Sequence, residues 1–190
     1  MVVKTISTAL LSVMVAIQGG PLLLTGALAL GSVGDAFLAW DDDTSFLYGL
    51  TSFLVAHIFY IVAFFQGHNL AAMLQSLLEG WRAMGAGLLS LLVPIMIASL
   101  VPRIGSALRL PVVLYSLTIF VMALAALTSD SSQVISGSLM FSASDSILAA
   151  DRFLVPATSS HHAWMQHTVW VLYYSGQLLI ALGVLAPYIG

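Results

Sequence analysis

Two aspartates interrupt stretches that are otherwise apolar. Asp35 lies in Ser32-Val33-Gly34-Asp35-Ala36-Phe37-Leu38, and Asp145 lies in Ser142-Ala143-Ser144-Asp145-Ser146-Ile147-Leu148. The segments Ser32–Asp41 and Ser142–Asp151 share one pattern, S-x-x-D-x-x-L-A-x-D, which reads as an internal repeat. An ionised carboxylate facing lipid costs about 2.5–3.5 kcal/mol on insertion scales. Both acids must therefore face a bundle interior, find a partner or stay protonated. No Lys or Arg within either run is placed to neutralise them. Two carboxyls close together in a low dielectric do not both ionise readily, and one acid beside one carboxylate is the arrangement of general acid–base catalysis. The plainer reading is that each acid only ties helices together, for instance through Ser32 and Ser142.

A second set of polar residues falls in apolar surroundings. His57 and Tyr60 are spaced i, i+3 and share a helix face. Tyr115, Tyr173, Tyr174 and Gln177 stand near the ends of other apolar runs, and Lys4 opens the first. With Ser32 and Ser142 these are the candidate substrate-binding groups. Asp41, Asp42 and Asp43 read as a solvated turn with a helix cap. His161, His162 and His167 lack the companions and spacing of a known metal motif, and neither a metal nor a cofactor is expected.

The elements that must position these groups are transmembrane helices. Sixty per cent of the 190 residues are hydrophobic and 7% are charged, against about a quarter charged in soluble domains. The apolar runs are continuous rather than alternating, which favours helices over a β-barrel. The expected fold is all-α: a polytopic bundle of about seven spans in a single domain, 1–190. The spans are expected near 2–18, 21–40, 45–66, 84–101, 110–128, 132–150 and 167–188. Residues 68–80 are too short and polar to cross and read as an interfacial helix. The run after Lys4 has the look of a signal peptide, but no small-residue cleavage site precedes Gln18, so a retained helix is expected.

Counting basic residues orients the bundle. With the N-terminus inside, Lys4, Arg103, Arg109 and Arg152 face the cytoplasm and Arg82 lies opposite. In a bacterium this would be the cytoplasmic membrane. The two repeat segments then cross in the same direction, as in parallel repeats. Each acid is expected roughly 7 Å below the inner interface at 1.5 Å per residue, and His57 about 18 Å in, at the floor of a cavity. The net charge of −3, with no basic run, gives no footprint for nucleic acid. The absence of cysteine excludes disulfides and thiolate chemistry.

Several stretches carry a resemblance. They are Gly31–Leu38, then Phe46-Leu47-Tyr48-Gly49-Leu50 through Ala56-His57-Ile58-Phe59-Tyr60 to Phe64, Pro111–Tyr115, Phe141–Ala149, Arg152-Phe153 and Tyr173–Ile180. In these the chain resembles the YhhN-like family of integral membrane lysoplasmalogenases. The resemblance implies hydrolysis of the vinyl ether bond of lysoplasmalogens, giving a fatty aldehyde and a glycerophospho-alcohol, with paired acids at Asp35 and Asp145. It implies a lysophospholipid substrate and membrane lipids as partners. It also implies one helix fewer than the family's usual eight, since no helix is expected before Lys4-Thr5-Ile6-Ser7-Thr8; the chain is then a short form, or its start is placed late. The chemistry is compatible with the residues: a carboxyl delivers a proton to carbon, and a neighbouring carboxylate stabilises the oxocarbenium ion and activates water. The substrate's head group is expected near Lys4, Arg109 or Arg152. The alternative is a proton-coupled transporter that uses the same two aspartates.

Overall fold

The computed structural model describes residues 2–189. The chain forms eight α-helices among these residues: α1 (Val2–Ile17), α2 (Leu22–Phe37), α3 (Asp43–Phe65), α4 (Leu70–Ser76), α5 (Gly80–Leu100), α6 (Ser106–Leu127), α7 (Ser132–Phe153) and α8 (His162–Ile189). A single 3₁₀ turn, Val101–Arg103, follows α5. The fold is an all-α membrane bundle. Helices α3, α5, α6 and α8 are long and apolar enough to cross a bilayer. Helices α1 and α2 are apolar but have 16 residues each. Helix α7 has 22 residues, and serines and acids dilute its apolar character.

Local chemistry sets the boundaries. The Asp42 carboxylate caps α3 by accepting from the Ser45 N–H at 2.8 Å. Hydrogen bonds from Ser45 hold this exposed carboxyl below the usual carboxylate range. Asn69 caps α4 and Ser131 caps α7 in the same way. Gly19 and Gly67 end α1 and α3 at φ of 70° and 77°, where a side chain would be strained.

The helices are joined by serine hydroxyls that donate to carbonyls of the neighbouring helix. Ser32 of α2 bonds Thr5 O of α1, Ser52 of α3 bonds Leu30 O of α2, and Ser144 of α7 bonds Val169 O of α8. Small residues let backbones come close, as membrane bundles require in the absence of a hydrophobic drive between helices. The tightest seam joins α7 to α8. A Cβ on Gly176 would stand 2.8 Å from Gly137 O, and one on Gly137 would stand 2.7 Å from Gly176 O.

Helix α5 is the exception. It buries only Leu100, and Leu88, Leu91, Leu92 and Ile95 are each exposed by half or more. It is tied at both ends. At one end Arg82 donates to Leu127 O and Ser129 O, at the C-terminus of α6. At the other, Leu100 and Ile104 join Phe46, Leu50, Leu108 and Val112 in a second apolar core. That second core gathers the end of α2, the start of α3, the end of α5, the start of α6 and the end of α7. Lys4, Arg103, Arg109 and Arg152 belong to this basic end, and Arg82 belongs to the other.

The α7–α8 seam has no space for a methyl group. Gly176→Ala should lose about 1–3 kcal/mol of stability through overpacking. Gly87→Ala, where a Cβ meets nothing within 4 Å, should be neutral or slightly stabilising. Thermal unfolding of both variants in detergent reads the difference.

Candidate active site

Asp35 sits near the end of α2 and is almost fully buried. Its Oδ2 accepts from the Tyr173 hydroxyl of α8 at 2.9 Å, and the Thr8 hydroxyl of α1 approaches the same oxygen at 3.2 Å. Lys4 stands one helical turn before Thr8 and attracts Asp35 electrostatically without forming a contact ion pair. Three helices thus converge on one carboxyl. The polar chain runs on through α8. Gln177, one turn beyond Tyr173, accepts a hydrogen bond from Tyr60 of α3. Its amide nitrogen turns toward the Tyr173 hydroxyl over Gly31, where a Cβ would lie 3.1 Å from one and 3.2 Å from the other.

Asp145 is held differently. It lies on α7 and is only half-buried. The Tyr115 hydroxyl of α6 donates to its Oδ2 at 2.5 Å. No hydrogen bond joins Asp145 to Asp35 among the described residues. A chain of ring edges connects their tyrosines. Tyr173 packs on Phe141 at 5.3 Å between centroids, Phe141 on His57 at 4.8 Å, and His57 on Tyr115 at 5.4 Å. His57 is completely buried, and its Nδ1 lies 2.6 Å from Phe53 O. A carbonyl only accepts, so Nδ1 carries the proton and Nε2 is left as a bare acceptor without a partner.

Asp145 opens into a cavity of about 670 Å³ between α3, α5, α6 and α7. Its walls are almost entirely apolar, with Leu50, Phe53, Leu92, Met96, Ile119 and Phe120 among them, and the only carboxyl in its lining is Asp145. The cavity follows one face of α6, from Val112 through Tyr115, Ser116 and Ile119 to Ala123. Beyond Ala123, outside the cavity's lining, Leu127 packs near Gly85 of α5. Toward the basic end it reaches Phe46, Phe153 and Leu154. Asp35, Tyr173, His57 and Gln177 lie behind this wall rather than in it.

The YhhN family profile matches residues 1–184. The chain belongs to the YhhN family. Its relatives include the lysoplasmalogenase TMEM86B of Homo sapiens, 34% identical over 166 residues, which are 86% of this chain and 63% of that protein. The TMEM86B lysoplasmalogenase of Sus scrofa is 32% identical over 85% of this chain and 62% of its own. The lysoplasmalogenase TMEM86A of Bos taurus is 29% identical over 82% and 62%. The chain spans a little under two thirds of the length of these relatives. No solved structure matches it.

In this YhhN chain the candidate residues divide into distinct groups. Tyr115 touches Asp145, and Tyr173 touches Asp35. Tyr60 and Gln177 extend the Asp35 side. Ser142 lines the cavity, but its hydroxyl donates to Ser138 O of its own helix. Ser32 is spent on joining α2 to α1. Tyr174, adjacent to Tyr173, points about 100° away on the helix and is half-buried, with no hydrogen bond to either acid. His162 gives Nδ1 to Asp151 at 2.7 Å and Nε2 to Pro156 O at 3.0 Å.

Depth by residue counting proves too simple. Helix α2 stops at Phe37, just past Asp35, whereas α7 continues to Phe153, two turns past Asp145. Helix α6 begins at Ser106 instead of 110, and Tyr115 lies further along it than counted, with its ring edge-on to His57. Thr8 escaped the sequence reading. Its signal was modest: one hydroxyl among Thr5, Ser7, Thr8 and Ser12, four residues after Lys4 on the same helix.

The buried Tyr60–Gln177 bond leaves no route to water. Tyr60→Phe should cost about 1–3 kcal/mol by orphaning the Gln177 carbonyl. Tyr48→Phe, at an exposed hydroxyl, should cost almost nothing. Melting temperatures of the two variants measure this.

Proposed function

We propose that this protein hydrolyses the vinyl ether bond of lysoplasmalogens, with Asp145 as the proton donor. The observation that carries the reading is a carboxyl set alone in an apolar cavity. Such a cavity suits a single hydrocarbon chain, and a reaction on that chain gives the acid a use there. The names of the family relatives support the substrate class.

In this reading the alkenyl chain lies in the cavity with its vinyl carbons beside Asp145. The acid transfers its proton to the β-carbon of the double bond, and the α-carbon becomes an oxocarbenium ion. Asp35, in electrostatic reach but out of the cavity, stabilises that cation as an ionised carboxylate. Tyr115 orients the Asp145 carboxyl and, once the proton has left, hydrogen-bonds the carboxylate. Water adds to the α-carbon and returns a proton to Asp145, and the hemiacetal collapses to a fatty aldehyde and a glycerophospho-alcohol. No nucleophilic serine or metal is needed. The proposed topology has seven spans, with the basic end toward the cytoplasm.

Asp145→Asn removes the proton but keeps the shape. It should lower aldehyde release from lysoplasmalogen by about 100- to 10,000-fold. Asp35→Asn should also impair turnover, and the double variant should be little worse than Asp145→Asn alone, because the acids act as a unit. Folded variants that keep substantial turnover would sink the mechanism.

The deep end of the cavity predicts chain-length selection. Ala123→Phe should fill the space above Phe120 and shift preference toward shorter alkenyl chains. Turnover of a series of substrates of increasing chain length reads this: a selective loss of the long chains is expected, and a uniform loss would contradict it.

A further inference from the structure

The proposed chemistry accounts for the middle of the cavity but not for its basic mouth. Three cations near that mouth differ sharply in what they do. Arg103 donates to Ser99 O at 2.6 Å and Arg109 to Ile104 O at 3.1 Å, so both satisfy carbonyls at helix ends. The Arg152 guanidinium carbon lies over the ring of Phe46, 4.2 Å from its centroid, and 5.8 Å from the centroid of Phe153, which packs edge-on against Phe46. Phe46 and Phe153 both line the cavity. The guanidinium is thus placed at the cavity's edge by the walls of the cavity.

Its present partners are weak. Asp43 lies 3.1 Å away and Asp41 3.5 Å away, and both carboxylates are almost fully exposed to solvent. Exposed pairs of this kind contribute little and are easily exchanged. The adjacent carboxylate, Asp151, is paired with His162 instead. A guanidinium stacked on an aromatic face keeps its edge donors free, and their fork matches two oxygens of a phosphate.

The spacing matches a lysophospholipid. Asp145 and Arg152 are seven residues apart on α7, so they share a face and are separated by about 10.5 Å along the axis. In a lysoplasmalogen, seven bonds separate the β-vinyl carbon from phosphorus, about 8–9 Å at roughly 1.2 Å per bond of extended chain. A substrate with its vinyl group at Asp145 therefore brings its phosphate to the guanidinium.

We infer that Arg152 is the receptor for the phosphate of the lipid head group, and that Asp41 and Asp43 are surrogate anions which the phosphate displaces. The inference rests on the proposed placement of the chain in the cavity. It goes beyond that reading by making recognition of the phosphate separable from chemistry. Lipids with a glycerol hydroxyl in place of the phosphodiester would lose this contact and nothing else.

The test uses non-hydrolysable probes, so that it does not depend on turnover. Binding of 1-O-alkyl-lysophosphatidylcholine and of 1-O-alkylglycerol of the same chain length is measured on the purified full chain in detergent. The wild type should bind the phospholipid at least tenfold more tightly. Arg152→Gln should bind the two alike, with alkylglycerol affinity unchanged. The double variant Asp41→Asn/Asp43→Asn should bind the phospholipid more tightly and the alkylglycerol as before, which keeps the test decisive if Arg152→Gln folds poorly. In activity assays Arg152→Gln should raise KM for lysoplasmalogen about tenfold with little change in kcat, and should leave KM for 1-alkenylglycerol unchanged. Retained phospholipid preference in Arg152→Gln, equal loss of both lipids, or no gain in the double variant overturns the inference. A wild type that discriminates between the probes but releases no aldehyde supports the phosphate site and refutes the hydrolase reading.

Discussion

A carboxyl inside a membrane bundle must be given hydrogen-bond donors, because no water is at hand to supply them. Each aspartate here is given a tyrosine from a different helix: Tyr173 of α8 for Asp35 and Tyr115 of α6 for Asp145. The rest of the arrangement depends on keeping those two pairs in place. The α7–α8 seam brings backbones together without a methyl group between them, and so fixes Tyr173 relative to Phe141. The serine bonds between α1, α2 and α3 fix the depth of Asp35 against Thr8 and Phe53. His57, bonded through Nδ1 to Phe53 O, fills the gap between the two tyrosines with an edge-on ring.

The two acids are alike in sequence and unlike in surroundings. Asp35 is packed by α1, α3 and α8, and its oxygen is crowded with donors. Asp145 is flanked by α5, the least embedded helix of the bundle, and so faces a cavity. The difference has one origin. Helix α5 is clamped at both ends, by Arg82 and by the second apolar core, but has little to pack on between them. A repeat that places two similar segments in the chain is thereby turned into one sealed carboxyl and one open one. Asymmetric acids suit a reaction in which one group transfers a proton and the other supplies a steady charge.

The apolar composition, the lack of cysteine and the uninterrupted runs were sufficient to read an all-α membrane bundle and the order of its helices. The stretch 68–80, read as too short to cross, contains the short α4. The repeat singled out both acids, because a charged residue in a run of apolar ones stands out regardless of what surrounds it. Ser32 and Tyr174 show the limit of the same logic. Each is polar and close to a motif, yet Ser32 turns its hydroxyl to the neighbouring helix and Tyr174 lies on another helix face from Tyr173. Rotation about a helix axis is weakly encoded when every face is apolar, so the direction of these side chains could not be read from the runs.

The sequence by itself determined which residues are costly to bury, and the cost is a property of a side chain and its solvent. It therefore determined that Asp35, Asp145, His57 and Gln177 require partners, and that the basic residues gather at one end. Only the tertiary structure decided who those partners are and which acid meets the cavity. Partners come from helices far apart in the chain, and the pairing of Tyr173 with Asp35 or of Phe46 with Arg152 is set by how the helices rotate and pack. A cavity is the space that packing leaves unfilled, so it has no residues of its own to announce it.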